Sequence, residues 1–193
     1  MFLAIVLTLA IFGAGCAKQP TEELEGAKAA VVAAMQEGAE KYAKDDLKRL
    51  NDSLAGAMEE IQTQEKKTFK SYDKAKEMLA SVKSQAETLK AEIPERKAKM
   101  KDDAMAAEAA ARTAVDGAKG LLAQAPKGKG TMADIEALKS DVDGLESSLG
   151  EVQGLIQSED YLAASEKANA IQGKASEVSA EISRAMEKVG KKK

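Results

Sequence analysis

Apolar residues recur along most of this chain in alternating steps of three and four, the period of one buried helix face. Leu24, Ala27, Val31 and Ala34 predict a first helix ending near Gly38, with Thr21 as its N-cap and Glu22 and Glu23 in its first turn. After a short segment, Ala39 to Lys44, Asp45 and Asp46 open a second helix. It carries Leu47, Leu50, Leu54, Ala57 and Ile61 on a coiled-coil seam. The seam decays through Phe69 and the lysine-rich stretch 64–71. A third helix follows on Tyr72, Ala75, Leu79, Val82, Ala86, Leu89 and Ile93. Pro94 then interrupts the pattern, and Glu95, Arg96 and Lys97 bring no apolar seam residue. The period resumes at Met100, Ala104, Ala107, Ala111, Ala114, Ala118 and Leu121. One long helix kinked at the proline, or two helices joined there, would produce this record.

The stretch 125–130, Ala-Pro-Lys-Gly-Lys-Gly, reads as a linker. Thr131 with Asp134 three residues on starts a fourth helix, whose seam is Ile135, Leu138, Val142, Leu145, Leu149, Val152 and Ile156. Ser158, Glu159 and Asp160 make a turn. A fifth helix then carries Tyr161, Ala164, Ala168, Ile171, Ala175, Val178, Ile182, Ala185 and Val189. A short turn between two seams predicts an antiparallel hairpin.

The third and fifth helices resemble one another. Laid without a gap, 72–93 and 161–182 share seven of 22 residues, Tyr72/Tyr161, Ala75/Ala164 and Ile93/Ile182 among them. Upstream, Asp46, Leu47, Leu50 and Leu54 lie on Asp134, Ile135, Leu138 and Val142, with the offset shortened by one. An internal duplication is the expectation, set against the general likeness of alanine-rich heptads.

Composition sharpens this picture. Hydrophobic residues make up 44% of the 193, but aromatics only 3%, so alanine carries much of the apolar count. Alanine favours helices and buries little area, which suits rods packed side by side. The expected fold is therefore all-α, an elongated set of about five helices in antiparallel hairpins resembling a coiled-coil bundle. A net charge of −3 leaves no basic footprint for nucleic acid. The absence of histidine removes the commonest general base and metal ligand. No catalytic, cofactor or metal site is expected, and the chain does not read as an enzyme.

The one cysteine, Cys16, follows the apolar run from Phe2 to Phe12 and the small residues Gly13, Ala14 and Gly15. Eleven residues of helix span about 16 Å, half the roughly 30 Å hydrocarbon core, which suits a signal-peptide core better than a membrane span. The segment resembles the lipobox of bacterial lipoproteins, although Gly13 stands where that family usually carries Leu. The resemblance implies cleavage before Cys16 and a covalent diacylglycerol and N-acyl lipid on it. The alternative is cleavage elsewhere, leaving a free thiol. Ala17, where an inner-membrane lipoprotein would carry Asp, implies the periplasmic face of the outer membrane. The organisation read from the chain is a signal peptide 1–15, a tether 16–20, a first helical region 21–125, a linker 126–130, a helical hairpin 131–190 and a basic tail 191–193.

Gly38-Ala39-Glu40-Lys41-Tyr42-Ala43 is similar to a G-A-x-x-Y-A-P segment in a family of helical envelope lipoproteins described only as a domain of unknown function. Leu47, Leu50 and Leu54 match its Leu-rich helix, and Tyr72 with Ala75 its Tyr-x-x-Ala element. Lys44 replaces the family's proline. The resemblance covers about residues 16 to 92 and implies no active site.

Other candidates have plain readings. Asp45-Asp46 and Asp102-Asp103 read as helix-start and surface acids, because helix neighbours point apart. Gly128-Lys129-Gly130-Thr131 lacks phosphate-loop spacing. Tyr72 and Tyr161 are expected to seal hairpin ends, with ligand stacking the lesser reading. Gly144, Gly150, Gly154 and Gly173 fall off the seam, where they either lower helix stability or admit a partner helix or wall polymer. Lys193 ends a basic tail that suits a helix C-terminus, or attachment to peptidoglycan. The functions in view are a structural spacer or adaptor binding an envelope partner, a peptidoglycan tether, and a chaperone-like binder of unfolded outer-membrane proteins. The seams could also pair two copies of the chain.

Overall fold

The computed structural model describes residues 18–125 and 132–190, with backbone alone for 132–134 and 188–190. Among these residues are six α-helices and no strand: α1 (Thr21–Glu37), α2 (Ala39–Tyr42), α3 (Lys44–Glu65), α4 (Asp73–Gln124), α5 (Met132–Gln157) and α6 (Tyr161–Gly190). The protein is an all-α helical bundle. The short segment after Gly38 is the one-turn helix α2, and α3 begins at Lys44, just before the acids. Thr21 is the first helical residue and does not cap: Pro20 holds the N-cap position and no side chain caps there. Proline's fixed φ suits a helix start. The sequence-predicted linker 126–130 and the tail 191–193 lie outside the described residues.

Contacts divide the chain into two compact units between Ile93 and Pro94, inside α4 and inside the stretch 21–125 that periodicity alone joins. α4 is one helix with the proline within it. From Pro94 to Asp103 no residue is fully buried, while Arg96, Lys97 and Met100 are half-buried.

The first unit is an up-down-up bundle of α1, α3 and the first part of α4. Lys76 reaches Glu23 at 3.5 Å, which sets the start of α4 beside the start of α1. Lys74 meets Glu60 at 2.8 Å, and a Cβ on Gly56 would lie 3.5 Å from the Met78 methyl, so α3 and α4 run antiparallel. Ala27, Val31, Ala34, Leu47, Leu50, Ile61, Leu79, Val82, Leu89 and Ile93 share one core, with Leu54 half-buried at its margin.

In the second unit the rest of α4 runs antiparallel to α5. Lys97, Glu108 and Lys119 meet Glu159, Gln153 and Glu146 in turn, at 2.7, 3.0 and 2.7 Å, so partners fall in number as α4 advances. α5 and α6 form the expected antiparallel hairpin, bridged by Lys167 and Glu151. Leu138, Val142, Leu145, Leu149, Val152, Ile171, Val178 and Ile182 are buried, while Ile135 and Ile156 are half-buried. After Pro94 the buried stripe is Ala104, Ala111, Val115 and Ala118. Val115 lies off the predicted seam, and Met100, Ala107, Ala114 and Leu121 are only half-buried. In an alanine-rich run, spacing alone does not fix which side faces inward.

The buried positions repeat. In 72–93 they are Tyr72, Ala75, Leu79, Val82, Ala86, Leu89 and Ile93; in 161–182 they are Tyr161, Ala164, Ala168, Ile171, Ala175, Val178 and Ile182, each 89 further on. Leu50, Ala57, Ile61 and Gln64 of α3 coincide with Leu138, Leu145, Leu149 and Val152 of α5 at an offset of 88. The first helices also correspond, at an offset of 84: Ala27, Val31 and Ala34 lie on Ala111, Val115 and Ala118.

Candidate functional site

No helix among the described residues is long and apolar enough to cross a membrane, and no group of three ligating side chains among them could hold a metal ion. One groove between α5 and α6 is lined by Ser140, Asp141, Lys174, Glu177 and Glu181, together with Leu145 and Val178. The sequence-predicted residues are scattered rather than gathered. Asp45 is exposed, while Asp46 pairs with Arg49 in the first turn of α3. Asp102 and Asp103 are exposed on α4. Tyr72 and Tyr161 are buried at equivalent helix starts. A Cβ on Gly144, Gly150, Gly154 or Gly173 would meet nothing within 4 Å, so none of these glycines serves packing among the described residues. Cys16, Gly128 to Thr131 and Lys193 lie outside those residues.

Polar side chains do converge at one end of the first unit, where the chain leading from Cys16 enters the fold. Pro20 is buried there, and its carbonyl accepts the Leu24 N–H at 3.0 Å. Gln19 Nε2 donates to Glu65 Oε1 at 2.6 Å, tying the segment that leads into α1 to the end of α3. Gln64, the one buried polar residue among those described, donates to Glu60 at 2.7 Å. Its own oxygen accepts the Ser71 N–H at 3.4 Å, which anchors the loop between α3 and α4. Donation from Gln64 first, then Lys74, holds the Glu60 carboxyl below its usual 4.5. The same bond with Glu60 raises Lys74 above 10.5. Glu23 is lowered too, first by a backbone hydrogen bond and then by Lys76.

From sequence the loop itself reads only as the place where a seam decays. It runs Lys66-Lys67-Thr68-Phe69-Lys70-Ser71, and Phe69 is 92% exposed. A phenylalanine between lysines is the available signal; its closeness to Gln19 has none, since 46 residues separate Gln19 from Glu65.

Comparison of the chain with protein-family models, curated proteins and solved structures gives no match.

Proposed function

We propose that the chain is a bacterial lipoprotein, acylated on Cys16 and held at the periplasmic face of the outer membrane. Its three-helix units act as a spacer and adaptor that offers helix faces to an envelope partner. The lipobox-like run up to Cys16 and the likeness of 38–43 to envelope lipoproteins both support this reading. The structural observation that carries it is the short slack between the acylated residue and the fold. With Gln19 tied to Glu65 and Pro20 buried, only Cys16 to Lys18 remain as tether. Three residues reach about 10 Å at full extension, so the bundle would stand close to the bilayer. Two or three acyl chains, at about 0.8 kcal/mol per buried CH₂, make such an anchor stable. Exposed pairs such as Lys48–Asp52, Lys119–Glu146 and Lys139–Asp143 line the helix faces, an arrangement suited to solvation and recognition.

Intact-mass measurement of the chain purified from a bacterial membrane tests the anchor: two or three acyl groups on a chain beginning at Cys16 are expected. A free thiol there overturns the reading. Crosslinking in cells followed by capture of the chain then identifies the partner.

A further inference from the structure

The loop between α3 and α4 carries features that the helical fold does not require. At the equivalent crossing of the second unit, α5 stays helical to Gln157 and turns within Ser158, Glu159 and Asp160. In the first unit α3 stops at Glu65 and opens into a loop with three lysines and no acid from Lys66 to Tyr72. At its tip Phe69 stands in water with 92% of its surface exposed. A phenyl ring is a large apolar group with no polar atom to hydrate, and it gains free energy by entering an apolar phase. The nearby acids already have partners. Glu65 accepts from Gln19 at 2.6 Å, Asp73 from Ser71 at 2.9 Å, and Glu60 is bridged by Lys74 at 2.8 Å. Glu65 and Asp73 keep their charge at the two ends of the loop, because Gln19 and Ser71 are neutral donors, but between them three lysines flank one apolar side chain, beside Gln19, three residues after Cys16.

We propose that this loop is a second membrane contact, in which Phe69 enters the interface of an anionic bilayer while Lys66, Lys67 and Lys70 lie among its headgroup phosphates. Lysines near an anionic surface and an aromatic at the interface are each favourable there. The inference rests on the anchor at Cys16 for what brings the loop to the bilayer. It adds orientation: the starts of α1 and α4 and the end of α3 share this end, so two contacts would hold the helices of the first unit leading away from the surface.

The chain contains no tryptophan, so Phe69→Trp creates a single fluorescent reporter at an exposed position. The full chain, processed in a bacterial host, is reconstituted in vesicles of phosphatidylglycerol and phosphatidylcholine with brominated acyl chains. Blue-shifted, quenched emission from Phe69→Trp is expected. Val32→Trp, exposed on α1 and about 16 Å further along that helix, should remain unquenched. Changing Lys66, Lys67 and Lys70 to Gln in the Phe69→Trp chain should lower the ratio of inserted to free loop about five-fold per lysine. Unquenched emission at position 69 overturns the proposal, as does equal quenching at positions 32 and 69. Intact mass read on the same sample keeps the two ideas apart: an acylated chain without quenching removes the loop contact and leaves the anchor standing. Quenching on a chain without acyl groups removes the anchor and leaves the loop contact.

Discussion

Gly38 leaves room for the ring of Tyr42: a Cβ built on the glycine would lie 3.0 Å from Cδ2 and 3.1 Å from Cε2 of that ring. The glycine has φ of 114°, and its N–H closes α1 onto the carbonyls of Ala34 and Met35. It ends one helix and begins the next turn, α2, so conformational freedom and close approach are needed at one position. Gly38→Ala should destabilise the first unit by about 1–2 kcal/mol from the left-handed backbone alone. Gly26→Ala, in open space within α1, should instead stabilise it by up to about 1 kcal/mol. Thermal unfolding of the two variants followed by circular dichroism checks both signs.

The exposed glycines of α5 make a different prediction. A methyl group added at Gly144, Gly150 or Gly154 would have nothing within 4 Å, so alanine there should raise stability by about 1 kcal/mol per site. A partner that needs the bare backbone would lose affinity in the same variants. Crosslinking yield in cells, compared with the melting temperature of the purified protein, separates these effects.

Leu79 and Ala168 occupy the same place in the two units, both fully buried. Cores are packed to the volume of their own neighbours. Leu79→Ala should therefore cost about 2–5 kcal/mol through the cavity it leaves. Ala168→Leu should cost about 1–3 kcal/mol through overpacking. Chemical denaturation of each variant reads the loss, and tolerance of Leu at 168 would contradict close packing around that buried position.

The pairing of Glu60 with Gln64 and Lys74 predicts a pH signature. A carboxyl whose folded pKa lies below 4.5 contributes stability fully above that value, and the contribution disappears as pH falls through the lower folded pKa. Lys74, raised above 10.5, contributes below that value and loses its share as pH rises through the folded pKa. Glu60→Gln should flatten both limbs of the melting temperature against pH, because it removes the carboxyl that titrates in acid and with it the anion that raises Lys74. Lys74→Gln should flatten the alkaline limb and leave part of the acid one, since Gln64 still donates to Glu60.

Much of the helical architecture is legible in the chain. Leu47, Leu50, Ile61, Leu79, Val82, Leu89, Leu138, Val142 and Val152 sit at steps of three and four and are buried. The burial pattern on Tyr72 to Ile93 returns on Tyr161 to Ile182, the two stretches that sequence identity also draws together. The first helix of the second unit is harder to read. From Ala104 to Ala118 alanines occupy several faces, so Val115 carries the decisive signal, and its lone branched apolar side chain is not enough to set the phase. The candidate site is legible only as a phenylalanine set in a lysine-rich stretch, because nothing local pairs Gln19 with Glu65.

Local sequence by itself determined which residues form helices and, for the leucine- and valine-bearing ones, which face turns inward, because side-chain periodicity and propensity act within a few residues. Only the tertiary structure decided which faces meet. It divided α4 between two units at Ile93 and Pro94, paired Gln19 with Glu65, and so brought the loop that follows Glu65 beside Gln19. An apolar stripe specifies that a helix must be covered but not by what, and the choice of cover belongs to the packing of distant segments.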